Sequence, residues 1–280
     1  MQICRTVKEM REFVQAEKQQ GRTVALVPTM GYLHQGHAAL MQAALQACQT
    51  VVASVFVNPI QFCPGEDLET YPRNFGRDCQ LLESLGVQAV FHPEPAEMYA
   101  ENFSTYVEPG GLTDCLCGKS RPGHFRGVAT VVTKLFNIVQ PDQAFFGQKD
   151  AQQVLVLKRM VRDLNIPVQI NVVPIVREAD GLAVSSRNTY LSLTERSQAV
   201  ILHKSILAAE AAVQNGERNC AEIVRLVKAK LAAVPEAQPE YVEIRNQNLE
   251  EAVVLEGACL LAMAVRFGTT RLIDNTWLEV

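Results

Sequence analysis

The residues best suited to chemistry lie in one loop at residues 28–37, which reads PTMGYLHQGH. The loop follows an apolar, β-rich run and opens a helical pattern, so His34 and His37 stand beside the free backbone N–H groups of a helix N-terminus. Gly31 and Gly36 permit tight turns and the close approach of a phosphate. Two imidazoles in this setting can donate hydrogen bonds to charge developing on a phosphate. The alternative is a pair of capping or surface histidines on an ordinary turn.

Two later segments carry groups that suit the oxygens of a polyphosphate. Lys149 stands in the sequence FGQKD at the start of a predicted helix, where a cation without a ligand is mildly unfavourable. Ser185, Ser186 and Arg187 follow Gly181 in a loop, and a guanidinium can bind two phosphate oxygens at once. The alternatives are a solvated lysine at a helix start and a serine-rich interdomain turn with an exposed arginine.

The loops differ from the two best-known phosphate-binding motifs. The chain contains neither G-x-x-x-x-G-K-[ST] nor G-x-G-x-x-G. The pattern H-x-G-H at residues 34–37 instead resembles the signature of the nucleotidyltransferase superfamily, which includes class I aminoacyl-tRNA synthetases. Members of that superfamily transfer AMP to an acceptor, so the resemblance implies adenylation chemistry.

Strands and helices alternate over about the first 175 residues, and these elements must position the three loops. Apolar runs predict strands at residues 24–27, 51–57, 89–91, 144–146 and 168–173. Helical patterns are predicted at residues 1–18, 37–48, 74–85, 128–139 and 151–164, with a loop-rich stretch at 93–125. This order predicts an α/β fold with a doubly wound parallel sheet, which binds ligands beyond the carboxyl ends of its strands.

The pattern changes after Arg177. Helices are predicted at residues 194–214 and 221–233, and strands follow at 241–244, 260–265 and 270–273. Helices followed by strands predict a smaller α+β domain at the C-terminal end. The sequence therefore predicts two domains, at residues 1–176 and 177–280.

Composition excludes several classes of protein. The 280 residues carry a formal net charge of -4, which argues against a nucleic acid as the main partner. No apolar run approaches the roughly 20 residues of a membrane span, and the first twelve residues do not resemble a signal peptide. The eight cysteines are scattered and form no metal-binding pattern, so we expect reduced thiols and a cytoplasmic location.

Five segments together resemble the pantothenate synthetase family, the pantoate–β-alanine ligases. They read VPTMGYLHQGH at 27–37, FVNPIQF at 56–62, RPGHFRG at 121–127, FGQKDAQQ at 146–153 and DGLAVSSRN at 180–188. Their order and spacing agree over essentially the full chain, and the last matching segment is RLIDN at residues 271–275. Two departures are Val184, where Met or Leu is expected, and Cys63, which has no family role.

The resemblance implies an architecture and a reaction. The first domain would be Rossmann-like and would bind the nucleotide and pantoate, the second would be a lid, and the chain would form a homodimer. The reaction would condense (R)-pantoate with β-alanine at the expense of ATP with Mg²⁺, through a pantoyl-adenylate. Its products would be pantothenate, AMP and pyrophosphate.

The resemblance also assigns residues to the substrates. The residues that would hold ATP are Met30, Gly31, Tyr32, Leu33, His34, Gln35, Gly36, His37, Gly147, Gln148, Lys149, Asp150, Val176, Val184, Ser185, Ser186 and Arg187. Gln61 and Gln153 would bind pantoate, and Gln61 would also bind β-alanine. His37 would be the catalytic histidine, and we expect His34, Lys149 and Arg187 to stabilise the transition state with it. No residue is assigned to a metal.

Two other functions remain open at this point. A different H-x-G-H nucleotidyltransferase, making a dinucleotide or a CDP-alcohol, would use the same loop with another acceptor pocket. A non-catalytic nucleotide-binding protein is the third possibility, and the joint presence of His34, His37, Lys149 and Arg187 disfavours it. Gln61 and Gln153 favour pantoate, because a phosphorylated acceptor would require more arginine and lysine. Further candidates for the pocket are Asn58, His124 and Arg126.

Overall fold

A parallel sheet of six strands organises the first half of the chain in the computed structural model, which describes residues 1–280. The strands are β1 (Gln2–Cys4), β2 (Val24–Thr29), β3 (Thr50–Val55), β4 (Ala89–Phe91), β5 (Gln143–Gly147) and β6 (Gln169–Val173). Their order is β1-β4-β3-β2-β5-β6, and all pairings are parallel. The chain reverses its direction of travel across the sheet between β2 and β5, and ligands bind at such a switch point.

Helices cover both faces of this sheet. They are α1 (Val7–Gln19), α2 (Gln35–Ala47), α3 (Phe75–Leu85), α4 (Pro95–Met98), α5 (Leu116–Ser120), α6 (His124–Val139) and α7 (Ala151–Asp163). Alternate residues of β2 pack on opposite sides, because successive side chains of a strand point to opposite faces. Leu26 packs in one core with α1, α6 and α7, whereas Val27 packs in another with α2 and α3. The predicted doubly wound α/β class is confirmed.

A smaller antiparallel sheet with its own helices follows. The elements are α8 (Leu193–Ala199), α9 (Ile201–Gln214), α10 (Cys220–Ala232), β7 (Ala237–Arg245), β8 (Cys259–Phe267) and β9 (Thr270–Leu278). A third hydrophobic core runs between these helices and the sheet, and it contains Leu261 and Met263 of β8. Leu260 and Ala262 belong instead to the larger core of the first half. The middle strand therefore joins the two halves by packing against both.

Several predicted elements differ from the observed ones. The sequence predicts one helix over residues 1–18, but β1 pairs with β4 and a capping box of Thr6 and Glu9 starts α1 only at Val7. A strand of three residues is too short to show periodicity, so only its pairing defines it. The predicted helix at 194–214 is divided at Val200 into α8 and α9. The stretch 93–125 contains α4 and α5, and α6 begins at His124 rather than at residue 128.

The length and polarity of the helices bear on membrane association. The longest, α6, has 16 residues. No helix combines the length and the apolar character that a crossing of the bilayer requires.

Candidate active site

Two adjoining cavities open where β2 and β5 end. The inner cavity has a volume of about 230 Å³ and lies against the loop at residues 28–37. The outer cavity has a volume of about 560 Å³ and reaches β8 and β9 of the small sheet. Lys149, Gln153 and Arg187 line both of them, so the two cavities form one cleft. Its position at the switch point is where the sheet topology predicts a ligand.

The structure brings most of the predicted site residues to this cleft. Those that line the inner cavity are Met30, His34, Gly36, His37, Gln61, Gly147, Lys149, Asp150, Gln153, Val176, Val184, Ser185, Ser186 and Arg187. The predicted residues outside the walls of either cavity are Gly31, Tyr32, Leu33, Gln35 and Gln148. Leu33 is 1% exposed and packs in the core beneath α2, so its side chain supports the loop from behind.

A buried carboxylate that the sequence analysis did not identify holds the loop at residues 28–37, here called the histidine loop. Asp78 of α3 is 1% exposed and accepts hydrogen bonds from the backbone N–H groups of Tyr32 and Leu33, at 2.9 and 2.7 Å. Gly31 has φ +87°, and a Cβ at this position would lie 3.0 Å from Val55 Cγ1 and 3.1 Å from Asp78 Oδ2. The available signal was a charged residue on the apolar face of α3, four positions before Leu82.

The two histidines cap α2 and also line the inner cavity. His34 Nδ1 accepts a hydrogen bond from the Gly36 N–H at 3.2 Å, and His37 Nδ1 accepts one from the His34 N–H at 3.3 Å. The rings lie 4.0 Å apart. A neutral imidazole that accepts at Nδ1 carries its proton on Nε2. Each ring therefore keeps an Nε2–H donor for a ligand, and capping and ligand binding are compatible roles.

Electrostatics keep these rings neutral near pH 7. Burial lowers the pKa of His34 to about 4, and the charge of Lys149 acts in the same direction. Burial also holds the pKa of His37 well below its ordinary value, with further contributions from His34 and Lys149. The pair thus offers hydrogen bonds from uncharged rings, which need no proton from solvent before an anion binds.

A network of polar side chains fixes Gln61 on the opposite wall. Asn58, 1% exposed, donates to Gln61 Oε1 at 3.0 Å and to the Gly127 carbonyl at 3.2 Å. His124 bonds the Gln61 carbonyl through Nδ1 at 2.8 Å, and Arg121 donates to His124 Nε2 at 2.9 Å. Asn58 and His124 line the inner cavity, whereas Arg126 lies outside both cavities. Gln61 is therefore oriented before any ligand arrives.

Acid pH should destabilise the protein through two histidines whose pKa values are lowered by desolvation. Burial lowers the pKa of His34 and of His124 from 6.5 to about 4. The unfolded chain takes up these protons below pH 6.5 and the folded chain does not, so stability falls as the pH drops from 6.5 towards 4. Between pH 7 and pH 5 we expect a loss of about 2 kcal/mol per histidine in urea unfolding. His124→Gln should remove the part of this pH-dependent loss that belongs to His124. A pH dependence of stability unchanged in this variant would contradict the neutral state of the buried His124 ring.

Arg187 has a partner that the sequence did not reveal. Its guanidinium makes two hydrogen bonds to the Asp67 carboxylate, at 2.7 and 2.9 Å, and lies 5.6 Å from the ring centre of Tyr71. The Tyr71 hydroxyl is 3.1 Å from Ser186 Oγ. The loop that carries Asp67 and Tyr71 thus covers the Ser-Ser-Arg loop, residues 185–187. Arg187 is therefore held in a fixed orientation by Asp67.

Fold and site together define the class of protein. The parallel sheet presents at its switch point the H-x-G-H loop by which the sequence resembles the nucleotidyltransferases. The chain matches the family model described as Pantoate-beta-alanine ligase over residues 2–277. It belongs to the pantoate–β-alanine ligase family.

Individual relatives agree over the whole length of the chain. A pantothenate synthetase from Syntrophomonas wolfei is 51% identical over 282 residues, which is all of both chains. One from Pelotomaculum thermopropionicum is 52% identical over 276 residues, or 98% of each chain. The crystal structure of pantothenate synthetase from Thermus thermophilus has 47% identity and a TM-score of 0.94, with 99% of each chain covered.

A fourth relative was solved with small molecules bound. The pantoate–β-alanine ligase from Francisella tularensis is 32% identical with a TM-score of 0.80, over 99% of this chain and 97% of its own. It is described as a complex with beta-gamma ATP and beta-alanine. The predicted enzyme class, a pantoate–β-alanine ligase, is confirmed by these matches, and the two alternative functions are not supported.

Proposed function

We propose that this chain joins pantoate to β-alanine in the cleft between β2 and β5, in two steps that share one set of residues. The observation that carries the proposal is the convergence on a single cavity of His34, His37, Lys149 and the segment 184–187. These groups come from three loops far apart in the chain, and all of them suit the oxygens of a triphosphate.

In the first step the carboxylate of pantoate attacks the α-phosphorus of ATP, and pyrophosphate leaves. Negative charge grows on the phosphate oxygens, so the protein must hold the reactants in line and stabilise that charge. The Nε2–H groups of His34 and His37 and the ammonium of Lys149 are the donors proposed for this task. Val176 lies on the same cavity wall, and we assign it to the adenine.

A Mg²⁺ ion fits the donors present. Mg²⁺ in nucleotide sites keeps several waters and needs only one or two carboxylates besides the phosphates. Asp150 is exposed at the cavity wall, and its side chain does not cap α7. We propose that this carboxylate would hold the ion, which would neutralise phosphate charge when bound.

In the second step the amine of β-alanine attacks the acyl carbon of the adenylate, and AMP leaves. Gln61 and Gln153 line the inner cavity, and their amides can both donate to and accept from the hydroxyls and carboxylate of pantoate. The complex of the Francisella relative with beta-alanine supports this assignment of the second substrate. The segment 177–280 would act as a lid that excludes water from the mixed anhydride.

Surface and cysteine features bear on assembly and location. The edge strand β6 leaves Val172 38% exposed, and Leu164, at the end of the preceding helix α7, is 52% exposed. An open edge flanked by apolar side chains suits pairing with a second copy, so we propose a homodimer. All eight cysteines are free thiols, which supports a reducing, cytoplasmic compartment.

Exchange of labelled pyrophosphate into ATP tests the reaction directly. The enzyme should catalyse this exchange only when pantoate is present, and β-alanine should not be required. Exchange without pantoate, or exchange supported by a phosphorylated alcohol instead, would contradict the proposed acceptor. Mass spectrometry of the product formed with β-alanine then identifies the amide.

Gln153→Ala is expected to weaken pantoate binding selectively. The amide lines both cavities, and its loss removes hydrogen bonds worth about 1 kcal/mol each. The KM for pantoate should rise roughly tenfold, whereas the KM for ATP should change less than twofold. Gln15→Ala, at an exposed position of α1, is the control and should change neither constant. Equal increases in both constants would remove Gln153 from the pantoate site.

A further inference from the structure

The segment RLIDN at residues 271–275, the last of the segments that resemble the family, lies within the proposed lid. It lies in β9 of the small sheet, and its last two residues, Asp274 and Asn275, line the outer cavity. Asp274 is 1% exposed and Asn275 is 3% exposed. Two buried polar side chains at the wall of a substrate cleft call for an explanation, because burying them is costly unless they are well paired.

Asn275 bonds directly to the loop that carries Lys149. Its Nδ2 group donates to the carbonyl of Gln148 at 3.1 Å and to the carbonyl of Lys149 at 2.9 Å. This geometry fixes the orientation of the amide, since a flipped amide would set its oxygen against two carbonyl oxygens. The Asn275 Oδ1 atom is buried and has no hydrogen-bond partner. An unpaired amide oxygen costs stability, and the two hydrogen bonds donated by Nδ2 are the side-chain contacts that offset this cost.

Asp274 connects the same strand to the other side of the nucleotide site. Its carboxylate accepts two hydrogen bonds from Arg177, at 2.7 and 3.0 Å, and one from the backbone N–H of Asn275 at 2.9 Å. Arg177 directly follows Val176, the residue assigned to adenine, and it also donates to the Gly181 carbonyl at 3.1 Å. The strand β9 therefore holds both the lysine loop and the segment that begins the Ser-Ser-Arg loop.

We propose that Asn275 is a positioning residue for adenylation, which acts by fixing the backbone of Lys149 so that its ammonium meets the phosphates. The inference rests on the proposed function, because it assumes that Lys149 binds ATP. It assigns the small sheet a part in the first step of the reaction, in addition to the shielding of the second step. Loss of the two donors would leave the fold in place but release the lysine loop.

Single-turnover release of pyrophosphate from ATP and pantoate, in the absence of β-alanine, tests this role. Asn275→Asp keeps the size of the side chain and replaces both donors with an oxygen that faces two carbonyls. The rate should fall on the order of tenfold, because small misplacements of a catalytic group cost factors of about 10 to 100. Transfer of the pre-formed adenylate to β-alanine, measured in the same enzyme, should change less than twofold. Asn275→Ala removes the donors without adding charge and carries the test if the Asp variant does not fold.

A double-mutant cycle separates positioning from general support of the fold. If Asn275 acts through Lys149, then Asn275→Ala should change the rate less than twofold once Lys149 is already Ala. Thr276→Val is the matched control, because the Thr276 hydroxyl bonds Glu210 at 2.8 Å, away from the cleft. That control should lower the thermal midpoint and leave the rate of pyrophosphate release unchanged.

The outcomes distinguish this inference from the proposed function. The positioning role would be overturned if the rate losses of Asn275→Ala and Lys149→Ala multiply in the double variant. It would also be overturned if Asn275→Asp slows adenylation and transfer to β-alanine equally. Wild-type activity in Asn275→Asp and Asn275→Ala would overturn it as well, while pantoate-dependent exchange by the native enzyme would leave the proposed function standing. A native enzyme without that exchange would instead remove the proposed function itself.

Discussion

His37→Ala is expected to slow adenylation by at least 100-fold, which corresponds to on the order of 3 kcal/mol of barrier. The variant loses the Nε2–H donor that the half-buried, neutral ring keeps for the phosphate, and it also loses the Nδ1 acceptor of the His34 N–H at 3.3 Å. A donor aimed at developing charge in a site shielded from water contributes more to the transition state than to substrate binding. We therefore expect kcat to fall while the KM for ATP changes little.

Two further variants make this result specific. His37→Gln keeps an amide N–H near the same place and should recover part of the lost rate. His92→Ala, whose ring bonds the Val55 carbonyl at 2.7 Å and stacks on Phe75 outside both cavities, is the control. It should alter stability rather than kcat. An activity of His37→Ala within twofold of the native enzyme would contradict a transition-state role, provided that the unfolding midpoint is unchanged.

Gly127→Ala is expected to damage both stability and pantoate binding. Alanine is the better helix former by about 0.5–1 kcal/mol, so α6 by itself would favour the change. At this position, however, a Cβ would lie 2.4 Å from the Ile60 carbonyl oxygen and 2.5 Å from Gln61 Cα. Both are backbone atoms, and overpacking of this kind costs roughly 1–3 kcal/mol and occasionally more. We expect a net loss of about 2 kcal/mol in urea unfolding.

The same clash should displace the pantoate site. Movement of the segment 59–61 shifts Gln61 and breaks the Asn58 hydrogen bond to the Gly127 carbonyl. The KM for pantoate should rise about tenfold or more, in proportion to the hydrogen bonds lost. Gly110→Ala is the matched control, because a Cβ there meets no atom within 4 Å and its φ is not positive. A Gly127→Ala protein with native stability and native pantoate KM would show that the helix and this segment are not in rigid contact.

Much of the fold could be predicted because its signals are local. The apolar runs that became β2 and β3 are buried on both faces, as parallel strands are, and the helix α3 that follows β3 has a regular amphipathic pattern. The first strand and the break at Val200 were missed for the opposite reason. Strand β1 is defined only by its pairing with β4, which lies more than 80 residues away, and neither feature has a local pattern.

By itself, the sequence determined which residue types could handle a phosphate, their order along the chain, and the strand ends at which they would lie. Spacing within one loop is a local property, so the place of His34 and His37 at a helix start could be predicted from neighbouring residues. Only the tertiary structure decided which distant residues hold the predicted site residues in place. Asp78 fixes the histidine loop from 45 residues away, Asp67 binds Arg187 from 120 residues away, and Asn275 holds Lys149 from 126 residues away. Such contacts depend on how distant elements pack, and no local pattern in the chain encodes them.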